Sequence, residues 1–399
     1  MIHQHQGISW IYVLLSAIER EKTYDYIICG GGASGLLLTQ KLAEDPFFRD
    51  KKIALVEKDI KNQNDRTWCF WENSSGSFDH LLHTQWEEGY FGSAHFTSEF
   101  SLQPFSYKML RSKPFYEACQ HILDNSPQVD RIQAEVIAIE DQKDVHRVRT
   151  SGETLYGKRI FSSLFDPKIL EQQKKYPVLQ QHFLGWYVTT EKAVFDPNRI
   201  HFMDFDIPQD GATRFIYVLP FSETEALVEY TLFSADLLTL QEYERGIKSY
   251  LESLDCGTYS INETEQGSIP MTSYRFDRHN SHHLMHIGTA GGWTKASTGF
   301  TFKKTTEKID ALVAFLKTEK PFSRFWKPDR FWFYDLLFLD VLAQHNAYGH
   351  ELFRMMFQKN DPEVILKFLD EKTSFWEEIR IMISFPIPLF VKALWKRLF

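Results

Sequence analysis

The stretch Tyr24-Asp25-Tyr26-Ile27-Ile28-Cys29-Gly30-Gly31-Gly32-Ala33-Ser34-Gly35 decides the reading of this chain. An apolar run ends directly in a glycine turn, and Leu36-Leu37-Leu38 then opens a helix-like segment that reaches Leu42. Lys52-Ile53-Ala54-Leu55-Val56-Glu57 follows as a second buried strand ending in an acid, which makes the unit strand, turn, helix, strand with parallel pairing. Gly30, Gly32 and Gly35 fit G-x-G-x-x-G. The first glycine permits a tight turn, the second lets backbone approach a pyrophosphate, and the third lets helix pack on strand. Gly31, Ala33 and Ser34 complete the loop at the helix N-terminus, whose partial positive charge faces phosphate. Glu57 stands where an acid accepts hydrogen bonds from a ribose diol, with Lys58 beside it.

A second glycine loop, Gly288-Thr289-Ala290-Gly291-Gly292, follows the strand Leu284-Met285-His286-Ile287. Two widely separated glycine loops favour FAD over NAD, because an extended FAD runs from one strand-turn-helix unit to a later one. Gly288 through Gly299, including Thr298, would pass beside the ribityl chain and flavin ring. Between the loops, Val136–Glu140 and Val145–Val148 read as short strands closing the first sheet. Residues 183–234, rich in Phe, Tyr, Val and Thr, read as a separate antiparallel sheet, followed by a polar helix near 238–254. From about 303 the pattern is helical. The fold class is therefore α/β.

Composition narrows the functional classes. The chain has 399 residues and a net charge of −8, so it carries no global basic field and nucleic acid is not an expected partner. Cys29, Cys69, Cys119 and Cys256 form no C-x-x-C pair and read as reduced cytosolic thiols. No apolar stretch approaches the roughly 20 residues of a transmembrane helix, and Ile8–Leu15 lacks the flanks of a signal peptide. Aromatic residues reach 15%, with 34 Phe, 17 Tyr and 10 Trp, which suits a large apolar ligand, a membrane contact or a Phe-rich core. His279, His282, His283 and His286 crowd one strand without a matching set of other ligands, so no metal is expected.

Two segments carry candidate chemistry. Asp65-Arg66-Thr67-Trp68-Cys69-Phe70-Trp71 reads either as a packed aromatic turn or as a border of the flavin and its substrate. Leu227-Val228-Glu229-Tyr230-Thr231 sets a carboxylate inside an apolar strand. It either lies on a solvent face or points inward, where desolvation keeps a proton available for general acid catalysis.

Together these segments resemble the bacterial lycopene β-cyclase family over roughly Tyr24 to Leu398. Further matches are Phe202-Met203-Asp204-Phe205-Asp206, Ser297-Thr298-Gly299-Phe300, Phe333-Tyr334-Asp335, Phe368-Leu369-Asp370 and Thr373-Ser374. The family motif often reads Phe-Leu-Glu-Glu-Thr. Here Tyr230 replaces the second acid, which leaves Glu229 the sole acid of the motif and weighs against a two-carboxylate mechanism. Ala296 stands where the family often carries proline.

The resemblance implies a Rossmann-like FAD-binding domain of the glutathione-reductase/hydroxylase type, an antiparallel-sheet substrate domain and a helical C-terminal region. The corresponding boundaries are a leader at 1–22, a cofactor domain at 23–85, 105–165 and 275–310, a substrate domain at 86–104 and 166–274, and the helical region at 311–399. The implied reaction is non-redox closure of lycopene ends to β-ionone rings, an intramolecular lyase or isomerase activity giving γ-carotene and β-carotene. It requires reduced FAD, with NADPH as an indirect electron source. The implied roles are Glu229 as catalytic acid, Arg66 with the two glycine loops as cofactor contacts, and Trp68, Phe70 and Tyr230 as substrate contacts. A FAD-dependent monooxygenase of a hydrophobic substrate and a non-catalytic flavin or prenyl-lipid binder are the competing readings. Because carotenes reside in bilayers, the expected location is cytoplasmic and peripheral to the membrane. The stretch Ile381 to Phe399, apolar with Lys392, Lys396 and Arg397 and no acid, suits interfacial docking or a terminal helix packed on the body.

Overall fold

The computed structural model describes residues 22–73, 75–142, 145–318 and 320–398. The leader expected at 1–22 lies outside the described residues, except that Lys22 already belongs to the first strand. The chain opens with β1 (Lys22–Cys29), α1 (Ala33–Glu44), β2 (Ile53–Glu57), β3 (Thr67–Asn73) and β4 (Thr84–Trp86). It continues with β5 (Glu88–Ser93), β6 (Phe96–Ser101), β7 (Phe105–Arg111), α2 (Ser112–Asp124), β8 (Val129–Gln133), β9 (Val136–Gln142), β10 (Val145–Thr150) and β11 (Thr154–Ser162). Next come β12 (Leu179–Thr190), β13 (Arg199–Asp204), β14 (Thr213–Pro220), β15 (Glu225–Ser234), α3 (Leu240–Ser253), β16 (Tyr259–Met271) and β17 (Leu284–His286). The helical part comprises α4 (Phe302–Leu316), α5 (Arg330–Gln344), α6 (Gly349–Lys359), α7 (Pro362–Leu369), α8 (Phe375–Ser384) and α9 (Ile387–Leu398).

The first sheet has the order β8-β2-β1-β11-β10-β9, with β17 also paired to β11. β8, β2, β1, β11 and β17 run parallel; the apolar runs of β1 and β2 are buried on both faces, α1, α2 and α4 covering one side and residues of β10 and β11 packing on the other. The second sheet has the order β16-β12-β15-β14-β13-β5-β6. It is larger than the span 183–234 suggests and is not purely antiparallel, since β13 pairs parallel to β5. Residues 88–101 and 259–271 supply its outer strands. The segment 65–71 is not a turn: β3 leads the small sheet β3-β7-β4 that joins the two larger ones.

Alternation along the second sheet sorts its residues between two environments. Val228, Tyr230 and Leu232 pack with Tyr243, Ile247 and Leu251 of α3 on one face. Leu227, Phe233, Phe215 and Phe202 face the other way, toward α5, α6 and α7. The C-terminal helices thus roof the inner face of this sheet. Their attachment includes a buried ion cluster in which Lys295 Nζ lies 2.9 Å from Asp335 and 3.2 Å from Glu371.

Candidate active site

The first glycine turn has the conformation its sequence demands. Gly30 has φ +99°, a region side chains disfavour, and its N–H donates to the Val56 carbonyl at 2.8 Å. A Cβ on Gly35 would lie 1.9 Å from the Gly30 carbonyl oxygen, so α1 can follow the turn this closely only with glycine there. A Cβ on Gly32 would meet nothing within 4 Å, because that backbone faces open space. α1 starts without a side-chain cap or an acid in its first turn, leaving its amides for an anion. Glu57 accepts from the Gly31 N–H at 2.5 Å and from the Asp59 N–H at 3.0 Å.

Gly32, Ala33 and Ser34 border a cleft of about 870 Å³ that extends past Arg66, Trp68 and Tyr116 to Gly288 and Thr289. The two glycine loops touch: a Cβ on Gly288 (φ +60°) would lie 2.5 Å from Ser34 Oγ. This cradle of bare amides, small residues and one elongated cleft fits an extended dinucleotide. Thr305 Oγ1, also on the cleft, is buried without a partner among the described residues. Gly30, Gly31, Gly35 and Glu57 shape the cradle from behind, Lys58 is exposed past the end of β2, and Ala290, Gly291 and Gly292 complete the second turn.

Past Trp68, Thr289 and Phe302 the cleft continues into a second cavity of about 450 Å³. Its walls include Thr298, Gly299, Phe300, Phe202, Phe233, Tyr107, Tyr217 and Met356. The Thr298 Oγ1 and Gln181 Oε1 atoms at this cavity are buried and have no partner among the described residues. Aromatic contacts tie the walls together: Trp71 meets Phe300 edge-on at 4.8 Å, and the Tyr107 and Tyr217 hydroxyls lie 2.8 Å apart.

Glu229 lies on this cavity, 9% exposed. The inward reading of the acid is therefore the correct one. Burial raises its carboxyl well above the ordinary range, and the charge and hydrogen bond of Glu265 raise it further. Glu265 comes from β16 and also lines the cavity. Thr67 Oγ1 donates to its Oε2 at 2.6 Å and the Tyr187 hydroxyl at 3.3 Å. The absence of a second acid from the motif thus does not leave Glu229 alone.

Tyr230 and Phe70 are not at the cavity, contrary to the substrate contacts expected of them. Tyr230 is the next residue of an extended strand and so points to the opposite face, where it packs against Gly246 of α3. A second acid at that position would point the same way. Phe70 is buried in the cofactor-domain core, stacked on Phe302 at 5.4 Å. Trp68, also stacked on Phe302 at 5.0 Å, does border the cavity. Among the described residues no group of three His, Cys, Asp or Glu gathers as a metal ion would require. His283 stacks on His146 at 3.7 Å, and the His286 ring hydrogen-bonds Asn280 at 3.2 Å.

Comparison with known proteins agrees with this layout. The chain superimposes on a geranylgeranyl bacteriochlorophyll reductase-like protein from Thermoplasma acidophilum with TM-score 0.59 and 12% identity, covering 94% of this chain and 99% of that one. A flavin-dependent brominase gives TM-score 0.57 at 9% identity over 94% and 99%. A tryptophan halogenase from Shewanella frigidimarina gives 0.56 at 11% identity over 94% of both chains. At these identities the likeness is one of fold alone. No individual curated sequence matches the chain. The sequence model of the lycopene cyclase protein family matches residues 25–394, nearly the whole length. The chain belongs to the lycopene cyclase family.

Proposed function

We propose that this protein is a flavin-dependent lycopene β-cyclase that closes the acyclic ends of lycopene to β-ionone rings, forming γ-carotene and then β-carotene. The observation that carries this reading is Glu229, a buried acid with a raised carboxyl on an aromatic cavity continuous with the glycine cradle. In the proposed step the Glu229 O–H bond breaks and its proton forms a C–H bond with the terminal double bond of the polyene. The resulting tertiary cation is attacked by a neighbouring double bond, which closes the six-membered ring. A proton then leaves the ring for the Glu229 carboxylate, so the acid is restored and the product is an isomer. Faces of Phe202, Phe300 and Trp68 favour the cation, each by about 1–2 kcal/mol once water is excluded.

FAD would be held by the amides of Gly32, Ala33 and Ser34 and by Gly288, Thr289, Thr298 and Gly299, and when bound in its reduced form it would supply electron density that favours cationic character in the substrate. NADPH serves as an indirect electron source. The substrate reaches the protein from a membrane surface, and the protein acts as a cytoplasmic, peripheral enzyme. Among the described residues no helix is long and apolar enough to cross a membrane. Trp376 on α8 and Trp395 on α9 are 76% and 65% exposed, with Ile383, Ile387 and Val391 exposed between them, which supports shallow docking.

Anaerobic incubation of the protein with reduced FAD and lycopene-loaded vesicles tests the proposal. The expected product has unchanged mass and β-ionone ends. Oxygen-dependent hydroxylated products with rapid NADPH oxidation would instead identify a monooxygenase, and tight polyene binding without turnover would identify a binder.

A further inference from the structure

The second sheet brings together an acid pair that no single segment of sequence contains. Strand register sets Glu265 of β16 beside Gly185 of β12, Gly185 beside Glu229 of β15, and Glu229 beside Tyr217 of β14. Gly185 has no side chain to keep the two glutamates apart. A Cβ there would lie 2.9 Å from Glu229 Cγ and 3.1 Å from Glu265 Cγ. The two carboxyl groups hydrogen-bond across the glycine.

Two carboxylates in contact within an apolar cavity do not both ionise readily, so such a pair holds one proton between them. The surroundings decide where the charge sits. Two hydroxyl donors, Thr67 and Tyr187, converge on Glu265 and are themselves 3.0 Å apart. The other groups facing the pair are Cys69 of β3, Tyr107 of β7 and Tyr217 of β14, and burial pushes all three up so that they stay neutral. Arg111 of β7 is bonded to Glu263 at 2.5 Å and lies over the Tyr187 ring. Arg66, at the cleft rim, donates to the Asp65 carbonyl.

We propose that Glu265 is the positioning partner of Glu229. As a carboxylate held by Thr67 and Tyr187, it accepts the Glu229 O–H, keeps that proton in place, and sets a fixed negative charge beside the cation formed when the proton is given up. This inference rests on reading Glu229 as the proton donor.

The test compares pH–rate profiles of FAD-loaded wild type, Glu265→Gln and Glu265→Asp acting on lycopene. Without the neighbouring charge Glu229 loses its proton at lower pH. The alkaline limb of Glu265→Gln is therefore expected to move down by a pH unit or more, with kcat reduced at least tenfold and KM little changed. Glu265→Asp, which keeps the charge, recovers much of both. Thr67→Val removes a hydroxyl bonded to both Glu265 and Tyr187, so the pair loosens, kcat falls with KM little changed, and the infrared carboxyl band of Glu229 shifts. It provides the reading if Glu265→Gln does not fold. Glu265→Gln with an unmoved alkaline limb, or Thr67→Val with an unmoved Glu229 carboxyl band, overturns the pair. Infrared spectra of the carboxyl stretch follow Glu229 without turnover. Earlier loss of the Glu229 band in Glu265→Gln supports the pair even in protein that cyclises nothing, whereas absence of cyclisation by wild type counts against the functional reading alone.

Discussion

Glu229→Gln is expected to make the protein more stable and far less active, and the stability gain should depend on pH. The wild-type carboxyl is buried and its proton is held well above the ordinary value of 4.5. Such a group contributes stability that is fully present below its unfolded value and is lost as pH rises toward the folded one. The loss amounts to about 1.4 kcal/mol for each pH unit over which the folded protein keeps a proton that the unfolded chain has released. From pH 5 to pH 7 the sum is at most about 3 kcal/mol, reached if the proton is kept throughout. The glutamine amide has nothing to ionise, yet it still donates to Glu265 as the protonated acid does. The advantage of Glu229→Gln over wild type should therefore grow with pH over that interval, by up to about 3 kcal/mol. Urea unfolding with FAD in excess, at constant m, measures it. Cyclisation should meanwhile fall by roughly 10²–10⁴-fold, the share a general acid supplies. A stability difference that stays flat from pH 5 to pH 7 would mean that folded Glu229 is already ionised. The acid role would then be refuted, whatever the activity of the variant.

Gly35→Ala drives a methyl into the Gly30 carbonyl 1.9 Å away, and the purified protein should lack flavin absorbance. Lys295→Met strands Asp335 in a buried site; Lys295 is 2% exposed, and burial raises Asp335 while Lys295 holds it down. The expected cost is about 3–5 kcal/mol at neutral pH. It should shrink in acid as the carboxyl takes up a proton, read as the urea midpoint at pH 5 and pH 8. Truncating the tail would be a poor test of membrane docking, because α9 is anchored through Arg397 to Asp340 and through buried Ala393. Trp376→Ser with Trp395→Ser leaves those anchors intact and should reduce co-sedimentation with anionic vesicles at least fivefold, without altering anaerobic turnover of detergent-solubilised lycopene.

The cofactor cradle was legible in the sequence because its requirements are those of backbone. A strand that stops at Gly30, a helix that starts at Ala33 and a close contact at Gly35 each admit few residue types, and all lie within one short segment. The second sheet was legible only in its middle. Its outer strands come from residues 88–101 and from 259–271, where Glu263-Thr264-Glu265-Gln266 reads as an ordinary solvated strand. Nothing local distinguishes Glu265 from Glu263, although one faces the cavity and the other pairs with Arg111.

The motif itself carried a clue that residue type concealed. Adjacent strand residues point to opposite faces, so positions 229 and 230 never share a cavity, and losing an acid at 230 removes nothing from the site. The partner of a catalytic acid on a sheet has to be sought across strands, in the register row, where it is separated from its mate by a whole strand. Carboxyl groups on β15 and β16 can meet only if the intervening residue on β12 is small, and that residue is Gly185. Gly185 lies within Phe183-Leu184-Gly185-Trp186-Tyr187, a strand whose other members are large, and a glycine there weakens the strand unless something must pass over it. What passes over it is the hydrogen bond between the two acids, so the cost of glycine in that strand is the structural condition for placing a charge next to the proton donor.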